Sequence, residues 1–164
     1  MFVQSTVIRY GDHVDTDVII PARYLNSTDH AELASHCMED LDSAFKQKCE
    51  KSHIIVAGRN FGCGSSREQA PIALKQAQVA LVVAQGFARI FRRNCINIGM
   101  PVFVADAVKK LHTGEIIEVD LEKGTITAPC GVPSTPSVHA PSSMTPAFSH
   151  LATSRSTRRS PIRC

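Results

Sequence analysis

The sequence predicts an α/β fold: a single domain with one mixed, partly parallel sheet flanked by helices, followed by an irregular C-terminal tail. Three observations predict it. Short apolar runs at residues 53–57 and 79–84 read as strands buried on both faces, the habit of parallel strands. Stretches of helical spacing separate these runs, as in alternating β and α units. Residues 116–121 and 125–127, around Glu122-Lys123-Gly124, read as an antiparallel hairpin.

Taken in order, residues 3–9 alternate enough to form a strand, and residues 11–17 form a polar turn. Val18-Ile19-Ile20 is a short apolar segment stopped by Pro21. After Asn26-Ser27-Thr28-Asp29 the pattern turns helical. Leu33, Cys37, Leu41 and Phe45 recur at four-residue intervals and predict one helix of about four turns, capped by Asp29 or Thr28. The strand at 53–57 runs into a glycine-rich turn, 58–64, and a helix over 65–76. A strand at 79–84, a short helix or turn at 87–93, a strand at 101–105 and a short helix closed by Gly114 precede the hairpin. No internal repeat is visible.

Length fits one domain with a real core, with or without a tail. From Ala128 the composition changes: Pro129, Pro133, Pro136, Pro141, Pro146 and Pro161 interrupt any helix, and serine and threonine fill much of the rest. The domain is therefore expected to span 1–127, and 128–164 to be a disordered tail. The tail holds Arg155, Arg158, Arg159 and Arg163 and no acid or lysine. Subtracting those four charges from the net +3 leaves −1 for the body, which gives no support to nucleic-acid binding. No apolar run approaches the ~18 to 20 residues of a membrane span. The first ten residues lack a secretory pattern, so a cytoplasmic location is expected. The six cysteines form no C-x-x-C pair and no zinc or iron–sulfur spacing, so the chain is not expected to hold a cluster itself.

The run that carries chemistry is Gly58-Arg59-Asn60-Phe61-Gly62-Cys63-Gly64-Ser65-Ser66-Arg67-Glu68-Gln69-Ala70-Pro71. It follows a buried strand and opens a helix, whose unpaired amides and positive dipole end favour an anion. Arg67 adds a fork suited to a carboxylate, and Ser65 and Ser66 offer hydroxyls beside it. No lysine precedes the serines as a P-loop requires, the third glycine of a Rossmann fingerprint is missing, and G-x-S-x-G is not present. What remains is a carboxylate cradle with an adjacent hydroxyl able to act as a base toward a carbon acid. In the plainer alternative, both serines only cap the helix.

The run Gly62-x-Gly64-Ser65-Ser66-Arg67-Glu68 resembles the signature of the swivelling domain of the aconitase superfamily. Three further segments resemble that family in its order: Asp12-His13-Val14-Asp15-Thr16-Asp17-Val18-Ile19-Ile20-Pro21, then Ala22-Arg23-Tyr24-Leu25-Asn26-Ser27 as in its stand-alone small subunits, then Gly86-Phe87-Ala88-Arg89-Ile90-Phe91-Arg92-Arg93-Asn94-Cys95-Ile96-Asn97-Ile98-Gly99. The resemblance implies a hydro-lyase small subunit that closes over a dicarboxylic acid held by a large partner subunit. That partner would carry a [4Fe–4S] cluster, with no cofactor on this chain. By the same resemblance Ser65 stands at the catalytic base, Ser66 and Arg67 at substrate-carboxylate positions, Asp17 at an active-site aspartate, and Asn26 and Ser27 in the specificity loop. The implied reaction of the leucine pathway interconverts 2-isopropylmalate and 3-isopropylmalate through isopropylmaleate.

Homoaconitases tend to place arginine after Tyr-Leu, where this chain has Asn26. An uncharged residue cannot pair a third carboxylate, which favours an apolar substituent. Homoaconitase, another substituted-malate dehydratase, and a non-catalytic anion- or RNA-binding module are the alternatives. Arg23 reads as surface or interface. The sequence departs from the family at Gln69, where histidine is frequent, at Gly86, where serine is common, and after Thr127, where no further strand or C-terminal helix is recognisable.

Overall fold

The computed structural model describes residues 2–26 and 29–128. Six strands form one sheet in the order β4-β3-β2-β1-β5-β6. Its parallel half is β1 (Phe2–Arg9), β2 (Ile54–Ala57), β3 (Leu81–Ala84) and β4 (Val102–Val104). The strand β5 (Ile116–Asp120) runs antiparallel to β1, and β6 (Thr125–Thr127) antiparallel to β5. The mixed sheet and its terminal hairpin are thus as the sequence predicts. Every residue of β2 and β3 is buried, as expected for strands covered on both faces, whereas β5 alternates.

Successive side chains point to opposite faces and divide the core in two. Ile55, Ala57, Val82, Ala84 and Val102 pack with Leu33, Phe45, Leu74 and Phe91 from the helices. Ile54, Val56, Leu81, Val83 and Phe103 pack with Val108 and Leu111 of the 106–111 segment and with Val119 and Ile126 of the hairpin. Among the described residues no helix is long and apolar enough to cross a membrane.

The helices depart from the sequence reading in three places. The expected four-turn helix is instead α2 (His30–Ser35) and α3 (Phe45–Cys49), joined by turns. Met38 takes a left-handed φ of 61°, and its amide leaves the helical path to donate to the Ile19 carbonyl, 2.9 Å away. Leu33, Cys37 and Phe45 still reach the core, while Leu41 is exposed. Asp29 does cap α2, accepting from the Ala31 amide. The short apolar segment Val18-Ile19-Ile20 overlaps α1 (Thr16–Ile19), capped by Asp15. The helix expected over 65–76 is α4 (Gln69–Gln76). A helix from Ser65 would need its carbonyl to accept the Gln69 amide. That carbonyl instead accepts the Thr16 hydroxyl and the Arg67 amide, both at 2.9 Å. The last helix, α5 (Arg89–Asn97), extends beyond the predicted 87–93. The expected tail lies outside the described residues from 129 onward.

Gly62 fixes how closely the glycine-rich loop approaches α5. Its φ is 77°, and a Cβ there would lie 2.1 Å from the Phe91 ring. Gly99 has a similar φ, 68°, but open space around it. Gly62→Ala is expected to cost the left-handed penalty of about 1–2 kcal/mol plus roughly 1–3 kcal/mol of overpacking. Gly99→Ala should cost the first part alone. Thermal unfolding of the two variants checks this; equal losses would show that the Phe91 contact imposes no constraint.

Candidate active site

The loop between β2 and α4 is held by the segment before and within α1. The His13 amide donates to the Arg59 carbonyl, Gly62 to Val14, and Thr16 to Cys63, each at 2.8 Å. The buried Thr16 hydroxyl then reaches the Ser65 carbonyl. Asp12 secures the near end, accepting the Arg59 amide at 2.8 Å and its guanidinium at 3.1 and 3.2 Å. Those hydrogen bonds hold the Asp12 carboxyl below its ordinary range. Gly64, with φ 86°, passes so close to Asp15 that a Cβ would lie 2.4 Å from its carboxylate oxygens.

The same loop is tied to α5. The Phe61 amide donates to Gly86 and the Ala88 amide to Phe61, both at 2.9 Å. The rings of Phe61 and Phe91 meet edge to face at 5.4 Å. Between loop and helix lies a cavity of about 420 Å³. Its lining includes Thr16 of α1, Ser65, Ser66 and Arg67 of the loop, and Arg89, Ile90 and Arg93 of α5.

Ser65 and Ser66 are exposed on this cleft. They do not cap α4: the N-cap position is Glu68, and no side chain bonds to the helix start there. The capping alternative is therefore set aside. Along this loop the cleft lining stops at Arg67, so α4 contributes no residue to it.

Arg67 is only 14% exposed in its side chain. Its Nη1 donates to the Ile20 carbonyl at 3.2 Å and pairs with the Asp17 carboxylate. The Nε and Nη2 edge has no partner among the described residues, which leaves one fork for a carboxylate. Asp17 is thus joined to Arg67, not spread on the cleft floor. Asn26 is exposed on the turn after Ala22–Tyr24 and does not line the cavity. Ser27 lies outside the described residues. Arg23 is on the surface, paired with Glu39 and Asp40. Thr16, Arg89 and Arg93 line the site although sequence reasoning gave them no role. For the two arginines the signal was their spacing of four on a helix adjoining the loop.

The four cysteines among the described residues are poor anionic ligands as placed. Burial pushes the Cys49 thiol up to about 12 and the Cys37 and Cys95 thiols upward too. Cys63, in the loop, is raised by partial burial and by the Asp15 carboxylate. Among the described residues no three Cys, His, Asp or Glu side chains are grouped to hold a metal ion.

Comparison with known proteins shows the family and the fold. The aconitase C-terminal domain family matches residues 11–106. The 3-isopropylmalate dehydratase small subunit of Ruminiclostridium cellulolyticum is 55% identical over 127 residues, 77% of this chain and 78% of that protein. The 2,3-dimethylmalate dehydratase small subunit of Eubacterium barkeri is 56% identical over 128 residues, again 77% and 78%. The crystal structure of 3-isopropylmalate dehydratase from Methanocaldococcus jannaschii superposes with a TM-score of 0.80 at 43% identity, covering 88% of this chain and 85% of that one. The chain belongs to the aconitase C-terminal domain family, among its dehydratase small subunits.

Proposed function

We propose that this chain is the small subunit of a hydro-lyase that isomerises 2-isopropylmalate and 3-isopropylmalate through isopropylmaleate in leucine biosynthesis, in the cytoplasm and together with a large iron–sulfur subunit. The observation that carries the reading is the meeting, on one cleft, of two uncommitted serine hydroxyls and the free edge of Arg67. Among the described residues no group of Cys, His, Asp or Glu stands together to hold a cluster. In this reading the [4Fe–4S] cluster belongs to the large subunit, where it supplies Lewis-acid chemistry.

The placement of this chain's residues supports the following roles. Ser65 takes the proton from the carbon α to a substrate carboxylate, and its hydroxyl returns a proton in the hydration direction. The Arg67 guanidinium favours the anionic form of that oxygen. Ser66 donates to the carboxylate that Arg67 grips. Asp17 fixes the Arg67 rotamer, so that the free edge faces the cleft. Ile90, half-exposed at the cleft, offers apolar surface to the substituent. Asn26 supplies no charge for a third carboxylate.

A second substrate, 2,3-dimethylmalate, is favoured by one observation: the E. barkeri relative is as similar to this chain as the isopropylmalate enzymes are. Turnover of both diacids by the chain reconstituted with its large subunit ranks them, and a preference for a tricarboxylate would sink the Asn26 argument.

Ser65→Ala should lower kcat by about 10²–10⁴, the span of general acid–base catalysis, with the complex still assembling on a sizing column. Near-normal turnover would remove Ser65 as the base. Arg67→Lys should raise KM roughly tenfold, because lysine cannot hold a carboxylate with two parallel bonds. An unchanged KM would show that the free edge of Arg67 grips nothing.

A further inference from the structure

Thr16 is a polar residue of the cleft that the proposed chemistry leaves without a task. It borders the cavity beside Ser65 but is only 1% exposed, too covered to meet a substrate. Its hydroxyl has one proton and two acceptors in reach, the Ser65 carbonyl at 2.9 Å and the Asp15 carboxylate at 3.5 Å. The shorter contact takes the proton.

Thr16 holds the chain on both sides of a flexible point. Its amide donates to the Cys63 carbonyl at 2.8 Å, and its hydroxyl to the carbonyl of Ser65 itself. Between these anchors stands Gly64, with φ 86°, a residue type whose backbone has more freedom than any other. The Ser65 side chain is exposed on the cleft, and its hydroxyl makes no hydrogen bond among the described residues. The direction of its Cα–Cβ bond is therefore set by the backbone alone. Two donors hold the peptide that carries the Ser65 carbonyl, the Thr16 hydroxyl and the Arg67 amide. The Arg67 amide belongs to the loop and moves with it. Thr16 belongs to α1, whose far end is tied to the same site: the Ile20 amide donates to the Thr16 carbonyl at 2.9 Å, and the Ile20 carbonyl accepts Arg67 Nη1 at 3.2 Å.

We propose that Thr16 is a positioning residue for the proton transfer: its hydroxyl fixes the Ser65 peptide, and with it the point from which the Ser65 oxygen meets the substrate carbon. The inference rests on the function proposed above, in which Ser65 is the base. Thr16 touches no substrate and carries no proton to it. Its effect falls on kcat, because a misplacement of about 1 Å between reacting groups can cost about 10²-fold. Arg67 keeps its own two anchors, Asp17 and the Ile20 carbonyl, so binding of the diacid is little changed.

The test uses the full chain assembled with its large subunit. Thr16→Val keeps the shape of the side chain and removes the donor. It should lower kcat by about 10- to 100-fold with KM within about threefold, and Thr16→Ser, which restores the hydroxyl, should recover most of the rate. In a Ser65→Ala background Thr16→Val should cost less than about a further twofold, because the group it positions is gone. Thr16→Ala carries the same expectations if the valine variant does not assemble. A wild-type kcat in Thr16→Val, or a loss by the same factor in both backgrounds, would overturn the proposal and leave the hydroxyl a packing contact. The Ser65→Ala single variant separates the two readings. If it loses turnover while Thr16→Val behaves as wild type, only the positioning role fails. If Ser65→Ala turns over near-normally, the base and its positioning residue fail together.

Discussion

The site depends on one constraint: the glycine-rich loop has no regular structure of its own and is shaped by what clasps it. A backbone carbonyl or amide that leaves secondary structure must find another partner, or lose roughly 1–3 kcal/mol when buried. Here the partners come from the segment before and within α1. Three amide-to-carbonyl bonds, and the Thr16 hydroxyl on the Ser65 carbonyl, run between residues 13–16 and 59–65. That clasp diverts the chain from helix until Gln69, leaving two serines on an open surface beside the largely buried Arg67 instead of in a first helical turn. Gly64 is what lets the clasp close, because only a residue without Cβ can pass the Asp15 carboxylate at that distance.

The clasp extends to the opposite wall of the cleft. Phe61 bonds to Gly86 and Ala88 through its backbone and stacks edge-on against Phe91 through its ring. The serine loop and the start of α5 are therefore two sides of one packed unit, in which a shift of either is resisted by a fully buried phenylalanine. Such support is what a site needs if donors and cations are to meet a small diacid within a few tenths of an ångström.

Strand positions were legible because burial imposes composition: β2 and β3 could not be four-residue runs covered on both faces unless wholly apolar. The glycine-rich loop was legible for a related reason, since glycines and serines directly after such a strand have few structural uses. The helix boundaries were not. Leu33, Cys37 and Phe45 obey a helical period and are buried, yet Met38 breaks the helix for a single long-range bond to Ile19 that no local pattern encodes. The late start of α4 is hidden in the same way, because it depends on Thr16, forty-nine residues before Ser65. Arg89 and Arg93 were visible as residues. Their place on the cleft was not, because the face a helix turns toward a loop is known only after both have been placed.

Substrate choice lies in a different layer from this frame. Relatives bearing two different substrate names share 55% and 56% identity with the chain, so a common frame serves both isopropyl- and methyl-substituted malates. The energetics make that economical. One methylene in an apolar pocket changes transition-state binding by only about 1–3 kcal/mol, which a single aliphatic contact can supply or withhold. A carboxylate without a partner costs far more than that. In the function proposed, selection between diacid and triacid rests on fixed charges, such as that of Arg67, and on the uncharged Asn26. Selection between alkyl groups can be left to the edge of the cleft, where Ile90 stands half-exposed and can change without disturbing the clasp.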